Sequence, residues 1–476
     1  MRTSGETGTS GAGFIGWIAL MVALASAIPL GANRPVSWIG LALAIFALFA
    51  IGLLLELRNP SVRAARLWPS ALLAGLAIGW GFVQTSPSLS ALAQAIVDHV
   101  ASAMGREPPV LMHPVWDTVE VAPTISADPI DGRHVVLRLA CYVALFWLAV
   151  QAGRDNERGR TMLGVAALAV TLVATFGLFA AATGNNPILG EDAGALSATF
   201  VNRNSFGTYA AFGVVINLAL LLTRLRVTGG AKRGSHVLRD FLERLLSRGW
   251  IHVVGFAVCA VALLGSQSRG GALAAIAGAA FVLALSARAG GRRSGLVAAL
   301  VVALAIFVAS VGASGVFGRF LATDTSEEAR GAVYLATVDA IADRPLLGHG
   351  AGSFTDIFRA YVPEGAGMGE WDKAHNTYLE LVFELGVPAA MAFLLAIFIV
   401  VARVVRGAVS PSNDTSIGLA ASGCALAAGV HSLFDFSLQI PAVAALFAFV
   451  LGLGYAYATR EVRMRSSRRP GRPVEA

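Results

Sequence analysis

Cysteine and charge are both scarce in this chain, and each scarcity excludes a class of protein. Three cysteines in 476 residues are too few for a disulfide framework. Charged side chains make up 14% of the residues and hydrophobic ones 56%, a balance that disfavours a string of soluble domains. Cys141, Cys259 and Cys424 each fall within an apolar run, where we expect them to pack as small apolar side chains.

Long apolar runs fill most of the sequence. A bilayer core about 30 Å thick needs about 20 apolar residues as helix, and runs of that length recur along nearly the whole chain. We therefore predict an all-α polytopic membrane protein, one membrane domain over residues 1–476, with about 12 transmembrane helices. The predicted spans are residues 14–31, 37–55, 68–85, 135–152, 161–183, 205–223, 250–266, 270–287, 295–314, 386–405, 416–433 and 441–458.

The distribution of lysine and arginine predicts the orientation. If the first ten residues face the cytoplasm, 25 of the 36 basic residues fall in cytoplasmic segments, as the positive-inside rule requires. Both termini of this multi-pass membrane protein are then cytoplasmic. Residues 224–248 predict an amphipathic helix on the inner leaflet, and residues 460–476 form a basic tail. We expect both to meet membrane lipid, not nucleic acid.

Two of the four informative outer segments precede the seventh span. Residues 87–134 are rich in proline and turn signals, which predicts an irregular loop. Its His113 and Trp116 would either stack on a sugar ring or, as we prefer, seal the loop onto the membrane surface. The next segment ends in ATFVNRNSF, where Asn204 or Ser205 could cap the sixth span. Arg203 beside that helix N-terminus is either an anion site or an arginine reaching for the interface.

Arg269 stands in the short sequence SQSRGGAL, between the seventh and eighth spans. A charge so close to hydrocarbon is costly unless it meets an anion. Gly270 and Gly271 leave room for a close ligand. We therefore favour a ligand role for Arg269 over a contact with lipid phosphate.

The long polar segment, residues 315–385, is the fourth outer segment and the main candidate for chemistry. Thr325 to Glu328 fits a capping box, so we expect a short helix that carries Arg330 and lies on the protein or the membrane. GHGAGSF follows, with His349; its glycines permit tight turns but are weak evidence for nucleotide binding.

His375 lies in DKAHNTYLELVFELG, where Asn376, Leu379, Phe383 and Val387 recur at helical intervals into the tenth span. This spacing puts His375 at the start of a helix at the membrane surface. Histidine is a competent base near neutral pH.

Two carboxylates near His375 in sequence could orient it, namely Asp372 and Glu380. Both also raise the possibility of a metal site with His375. We disfavour that site because one histidine is within reach and no H-E-x-x-H spacing exists. No cofactor is expected.

Arg203, Arg269, Arg330 and His375 all come from outer segments. Planar guanidinium groups suit a diphosphate, which they bind through paired hydrogen bonds. A base for a hydroxyl beside arginines for a phosphate leaving group predicts a glycosyl-transfer site.

The same residues resemble the O-antigen ligase and O-antigen polymerase superfamily of bacterial inner-membrane proteins, over roughly residues 130–458. The most specific likeness is PLLGHGAGSF followed by AHNTYLELVFELG, with His375-Asn376 and Gly386 at the spacing of the family. Arg269 to Leu273 is similar to its R-x-x-x-L element, HSLFDFSLQIPA to its closing motif, and ATFVNRNSF to its upstream outer loop. Ala389 departs from the Gly, Thr or Tyr usual in ligases, which leaves a polymerase open.

The resemblance implies a metal-independent, inverting glycosyltransferase that takes a glycan from undecaprenyl diphosphate. The acceptor would be a lipid A core sugar for a ligase, or another lipid-linked glycan for a polymerase. His375 would be the catalytic base, and Arg269, Arg203 and, with less support, Arg330 would hold the diphosphate. Supporting roles fall to Asn376, Asp372, Tyr378, Glu380, His349 and Asp435.

A twelve-span transporter is the alternative from another class. Carriers place ionisable groups near the membrane midplane and often show repeated halves. No half-to-half similarity is evident here, and the charges outside cytoplasmic loops gather at one face. His431 and Asp435 are the exception, near an outer span end, where they could simply form a hydrogen-bonded pair.

Overall fold

The computed structural model describes residues 4–58, 66–118, 123–190, 195–225, 243, 245–289, 325–362, 371–410 and 414–467. Within these ranges the chain is helical, without named strands. The first five helices are α1 Ser4–Ala25, α2 Pro35–Arg58, α3 Trp68–Thr85, α4 Pro87–Ala103 and α5 Pro129–Ala152. The remainder are α6 Asn156–Thr183, α7 Arg203–Leu225, α8 Trp250–Gly265, α9 Arg269–Arg288, α10 Thr325–Asp343, α11 Phe354–Phe358, α12 Thr377–Leu385, α13 Val387–Ala408, α14 Ser416–His431 and α15 Pro441–Ser467.

The prediction of an all-α polytopic membrane protein is confirmed. A helix occupies each predicted span except residues 295–314, which lie outside the described residues. Among the described helices, seven are long and apolar enough to cross a membrane, namely those within α2, α5, α6, α7, α9, α13 and α15. Shorter apolar helices cover Gly11–Ala25, Trp250–Gly265 and Ser416–His431.

Helices α7 and α15 form the centre of the bundle. Nearly every side chain of α7 is buried, as are those of α15 from Pro441 to Thr459. A helix that is apolar all round is stable only when other helices surround it. Glycines allow the close approach of neighbours: Gly278 of α9 and Gly423 of α14 pack with almost no side chain between their backbones. The three cysteines are buried in α5, α8 and α14, as expected.

The polar segment before α13 has a small core of its own. Val333, Ala336 and Ala340 of α10 pack against Phe354, Phe358, Ala374 and Phe383. Helices α10, α11 and α12 therefore form a compact cap on the bundle. Trp80 Nε1 donates to the Leu385 carbonyl at 3.0 Å and Gln84 Nε2 to the Leu347 carbonyl at 2.7 Å, which fixes the cap to α3.

Two local predictions were wrong. Residues 87–134 are not irregular throughout, because Pro87–Ala103 is a helix: Pro87 occupies its first position, where the missing N–H costs nothing, and Ser86 caps it. The helix after His375 does not run into the next span. It ends at Gly386, whose φ of 78° and ψ of 160° break the chain direction between α12 and α13.

The amphipathic helix predicted for residues 224–248 lies mostly outside the described residues. The described part, Leu245–Gly249, is one π-helical turn that leads into α8. The capping-box side chains at 325 and 328, and the side chains of the basic tail, also lie outside the description.

Candidate active site

His375 lies immediately before α12, in a backbone conformation that few residues other than glycine adopt. Its φ is +50°, a left-handed geometry that persists only where its surroundings impose it. Asn376 caps α12, since its Oδ1 accepts from the N–H groups of Tyr378 and Leu379 at 3.0 and 3.1 Å. The Tyr334 hydroxyl of α10 donates to the His375 carbonyl at 2.9 Å. The position of the histidine is therefore fixed by the cap and by α10.

The start of α12 is attached to the connection between α14 and α15. Thr377 N–H donates to the Ser432 carbonyl at 2.9 Å, and its hydroxyl donates to the Asp435 carbonyl at 2.9 Å. Asn376 Nδ2 donates to the Leu433 carbonyl at 3.2 Å. Tyr378 serves the same purpose, because its hydroxyl reaches a carbonyl of α14 at 2.9 Å. These bonds bring the polar segment and the closing motif of the sequence together.

Asp435 is the carboxylate that faces the His375 ring. His375 Nδ1 lies 3.5 Å from Asp435 Oδ1, with the histidine side chain 20% exposed and the aspartate 2%. Burial raises the pKa of Asp435, but contact with His375, the neighbouring His431 and the Phe436 N–H outweigh it, so the pKa lies below its ordinary value. Asp435 is thus ionised at neutral pH and suited to stabilise a protonated His375.

Two aromatic rings flank His375. Trp371 meets the imidazole edge-on at 5.9 Å between ring centroids, and Phe436 does so at 5.2 Å. The rings leave part of the imidazole accessible while they restrict its rotation. A base needs this combination, because it must reach a hydroxyl in one fixed geometry.

The N-termini of α7 and α9 lie side by side. A Cβ added to Gly207 of α7 would stand 2.8 Å from Ser268 Cβ, and one added to Gly271 of α9 would stand 3.1 Å from the Gly207 carbonyl carbon. Arg203 begins α7 and Arg269 begins α9. Helix N-termini carry partial positive charge, so two of them with two arginines form a strongly cationic region.

The N-terminal cap of α7 is not the residue that the sequence predicted. Neither Asn204 nor Ser205 caps α7; Asn202 Oδ1 accepts from the Asn204 N–H at 2.7 Å instead. Ser268 caps α9, its hydroxyl accepting from the Gly271 N–H at 3.1 Å. Arg203 is exposed at the helix end, where a soluble or lipid-borne anion can reach it.

The cationic region adjoins the histidine through His431. A Cβ on Gly270 would lie 3.3 Å from His431 Nε2, and His431 belongs to the same turn as Asp435, whose N–H donates to the His431 carbonyl at 3.0 Å. Arg330, on α10, is half-buried and within electrostatic reach of both His431 and Tyr334. The turn from His431 to Asp435 therefore contacts the start of α9 through His431 and the candidate base, His375, through Asp435.

The two carboxylates nearest to His375 in sequence have other surroundings. Asp372 is exposed. Glu380 is buried, and its carboxylate accepts from Lys373 Nζ at 2.9 Å and from the Ala374 N–H at 3.1 Å. Our expectation that one of them faces the ring was wrong, since Asp435 does so. Glu380 instead supports the backbone immediately before His375.

His349 lies at the other end of α12 and belongs to a chain of hydrogen bonds. The Val115 N–H can only donate, so His113 Nδ1 accepts this hydrogen bond, at 3.2 Å. His113 therefore carries its hydrogen on Nε2, which donates to His349 Nδ1 at 3.2 Å. His349 Nε2 in turn donates to the Ala340 carbonyl at 2.9 Å. Burial, with Arg344 nearby, lowers the pKa of His113 to about 3 and also lowers the pKa of His349. Both rings are neutral structural groups that join residues 111–118 to the cap.

Trp116 has a structural contact of the same kind, since its Nε1 donates to the Ser126 carbonyl at 3.0 Å. The described residues contain no group of three His, Cys, Asp or Glu side chains close enough to hold a metal ion. Tyr334, Trp371, Phe436 and His431 are neighbours of His375 or Asp435 to which we assigned no catalytic role from sequence. Only the HSLFDFSLQIPA motif gave a signal for two of them.

The fold and this site together define a multi-pass membrane protein with a histidine–aspartate pair beside cationic helix N-termini, at one end of its helix bundle. Residues 254–394 match the family model described as O-antigen ligase. This match supports the resemblance to the O-antigen ligase and polymerase superfamily that the sequence motifs indicated. The matched region includes Arg269, Arg330 and His375. The comparison with curated proteins found no match.

Proposed function

We propose that this protein is a glycosyltransferase that moves a glycan from undecaprenyl diphosphate onto an acceptor sugar, with lipid A core as the acceptor. The observation that carries the proposal is the contact of His375 with Asp435 one turn away from the N-terminus of α9. A base and a cationic leaving-group site within one small region are what transfer from a diphosphate donor requires. The O-antigen ligase domain supports the same class of reaction.

In this mechanism His375 removes the proton from the acceptor hydroxyl. Because Asp435 faces Nδ1, it favours the tautomer with hydrogen on Nδ1 and leaves the Nε2 lone pair free to act. The acceptor oxygen attacks the anomeric carbon from the face opposite the diphosphate. The bond from that carbon to the phosphate oxygen breaks, its electron pair leaves with the diphosphate, and the anomeric configuration inverts.

The diphosphate would bind at the starts of α7 and α9. Arg203, Arg269 and Arg330 supply guanidinium groups, and the helix N-termini add N–H donors. As negative charge develops on the leaving oxygen, these fixed positive groups stabilise it without a metal ion. The reaction we propose is therefore metal-independent and needs no cofactor.

The distribution of charge supports a site on the outer face of an inner membrane. The opposite end of the bundle carries Arg154, which pairs with Glu56, and Arg160, which pairs with Asp414. Arg403 and Arg406 also lie at that end, in the last turns of α13. A basic end faces the cytoplasm in most membrane proteins, so the site would open to the periplasm, and both termini would be cytoplasmic.

Ala389 favours a second candidate, an O-antigen or exopolysaccharide polymerase, because ligases usually carry Gly, Thr or Tyr at that place. In the fold Ala389 packs with Val136 and Leu385 under the cap. The glycan profile of a deletion strain separates the two functions. Polymer that accumulates on its carrier lipid indicates a ligase, whereas single unpolymerised repeats indicate a polymerase.

Substitution of His375 by alanine tests the enzyme itself. We expect complete loss of long glycan on gels, because no other described side chain occupies the position of the base beside Asp435. The matched control is His99→Ala, an exposed histidine on α4. Full-length glycan made by a His375→Ala variant at normal membrane abundance would refute the proposed function.

A further inference from the structure

His431 is a buried histidine whose ring has no visible task within the protein. It is the last residue of α14 and is 1% exposed. Among the described residues, neither its Nδ1 nor its Nε2 has a hydrogen-bond partner. A buried polar group without a partner destabilises the fold, so a position of this kind calls for a compensating role.

The ring lies against the first turn of α9. A Cβ built on Gly270 would stand 3.3 Å from His431 Nε2 and 3.4 Å from Cδ2. The glycine lets the imidazole and the helix start approach closely, because a Cβ at this position would be tighter than most Cβ contacts. The first N–H groups of an α-helix lack partners inside the helix, so the imidazole and the helix end present donors to the same small volume.

The charges around His431 suit an anion. Asp435 and Arg330 are within electrostatic reach of the ring, and Arg269 precedes Gly270 in the chain. The Asp435 carboxylate is the negative charge in this set: its Oδ1 accepts from the Phe436 N–H at 2.7 Å and faces His375, and its buried Oδ2 has no hydrogen-bond partner among the described residues. Arg269 and Arg330 outnumber this single carboxylate, so the net charge near the start of α9 is positive and favours an anion.

We propose that His431 Nε2 and the N-terminus of α9 form a phosphate subsite, in which the imidazole donates a hydrogen bond to the diphosphate of the lipid-linked donor. The identity of the ligand rests on the proposed function, while the anion site rests on the geometry of His431 and Gly270. No covalent bond to His431 forms. When the sugar–phosphate bond breaks, the electron pair goes to the phosphate oxygen, and the hydrogen bond from His431 strengthens as that charge develops.

Binding measurements with two probes test the subsite. Purified full-length protein in detergent would be titrated with farnesyl diphosphate and with inorganic pyrophosphate. We expect His431→Leu to weaken both dissociation constants at least tenfold, because it keeps an apolar side chain but removes the donor. His431→Gln places an amide N–H near the position of Nε2 and should stay within about threefold of the wild type.

Gly270→Ala approaches the same place from the other side. Alanine is favourable in a helix, so the variant should fold, but its methyl group would push the His431 ring away by a few tenths of an ångström. We expect it to weaken pyrophosphate binding measurably, though less than His431→Leu does, because the donor moves but is not removed. His99→Leu, on exposed α4 surface, is the control and should bind like the wild type.

The outcomes separate this proposal from the proposed function. Wild-type affinity for pyrophosphate in a folded His431→Leu or Gly270→Ala variant would overturn the subsite, even if glycan transfer and its dependence on His375 are intact. A glutamine variant as weak as the leucine variant would also overturn it, because the donor would then be irrelevant. If the wild-type protein transfers no glycan but binds pyrophosphate in a His431-dependent way, the subsite stands and the proposed function fails.

Discussion

Replacing Asp435 with asparagine removes one negative charge beside the His375 ring and changes little else. The side-chain oxygen that accepts from the Phe436 N–H can remain, because asparagine has the same shape. In the proposed reaction His375 becomes positively charged as it takes the proton of the acceptor. The variant therefore tests whether the buried carboxylate stabilises that charge.

The distance between the two groups sets the size of the effect. Opposite unit charges 3.5 Å apart attract by about 5 kcal/mol at an effective dielectric constant of about 20. The His375 side chain is 20% exposed, so solvent screens part of this attraction. We expect a net loss of roughly 3 kcal/mol, which is about a hundredfold in kcat.

The assay is transfer of a labelled lipid-linked glycan to purified acceptor, with kcat and KM measured separately. Because Asp435 acts on the charged state of His375, kcat should fall while KM for the donor changes little. Asp372→Asn is the matched control, since this aspartate lies three residues before His375 but is exposed. Our reasoning would be refuted by equal kcat values for Asp435→Asn and Asp372→Asn, with both proteins folded.

Three further predictions concern the helix start, the turn after α12 and the buried histidines. Arg269→Lys should lower kcat/KM for the donor about tenfold or more, because an ammonium group cannot form the paired hydrogen bonds of a guanidinium; unchanged kinetics would contradict a diphosphate contact. Gly386→Ala should destabilise the protein by several kcal/mol, since its φ of 78° is strained and the new Cβ would stand 2.3 Å from the Leu346 carbonyl oxygen. In a thermal melt, Gly184→Ala, with a similar φ of 67° but nothing within 4 Å, should cost about 1 kcal/mol, and equal losses would show that the contact is irrelevant. The pKa of His113 falls from 6.5 to about 3 on folding, so its contribution to stability is complete above about pH 6.5 and is lost as the pH falls towards 3. Between pH 6.5 and 5 the free energy of unfolding should drop by about 2 kcal/mol, and His113→Phe should flatten that dependence in melting curves; an unchanged slope would count against a neutral buried ring.

Local sequence patterns predicted several parts of the site correctly. Histidine at the start of a helix follows from the helical spacing after Asn376, and α12 does begin at Thr377. Arginines at the starts of α7 and α9 follow from their places at the ends of apolar runs. These features depend on neighbours within one or two turns, so they can be read from a single segment.

The helix break at Gly386 shows where such reading fails. The apolar spacing continues through it from Phe383 to Val387, and a glycine inside a helical pattern is tolerated. The break is imposed by tertiary packing: the Leu346 carbonyl lies so close to Gly386 that any Cβ would clash with it. At Pro87 the sequence predicted a loop where the structure has a helix. A proline is a loop signal in most places, but it is also favourable at the first position of a helix, here capped by Ser86.

The sequence by itself determined that the chain is a helical membrane protein, because the length of an apolar run and the thickness of a bilayer are related by simple geometry. It also placed Arg203, Arg269 and His375 at the starts of helices. Only the tertiary structure decided that Asp435, and not Asp372 or Glu380, faces His375, and that α7 and α9 begin side by side. Those pairings join residues far apart in the chain, and they arise from how the helices pack, which no spacing within one segment records.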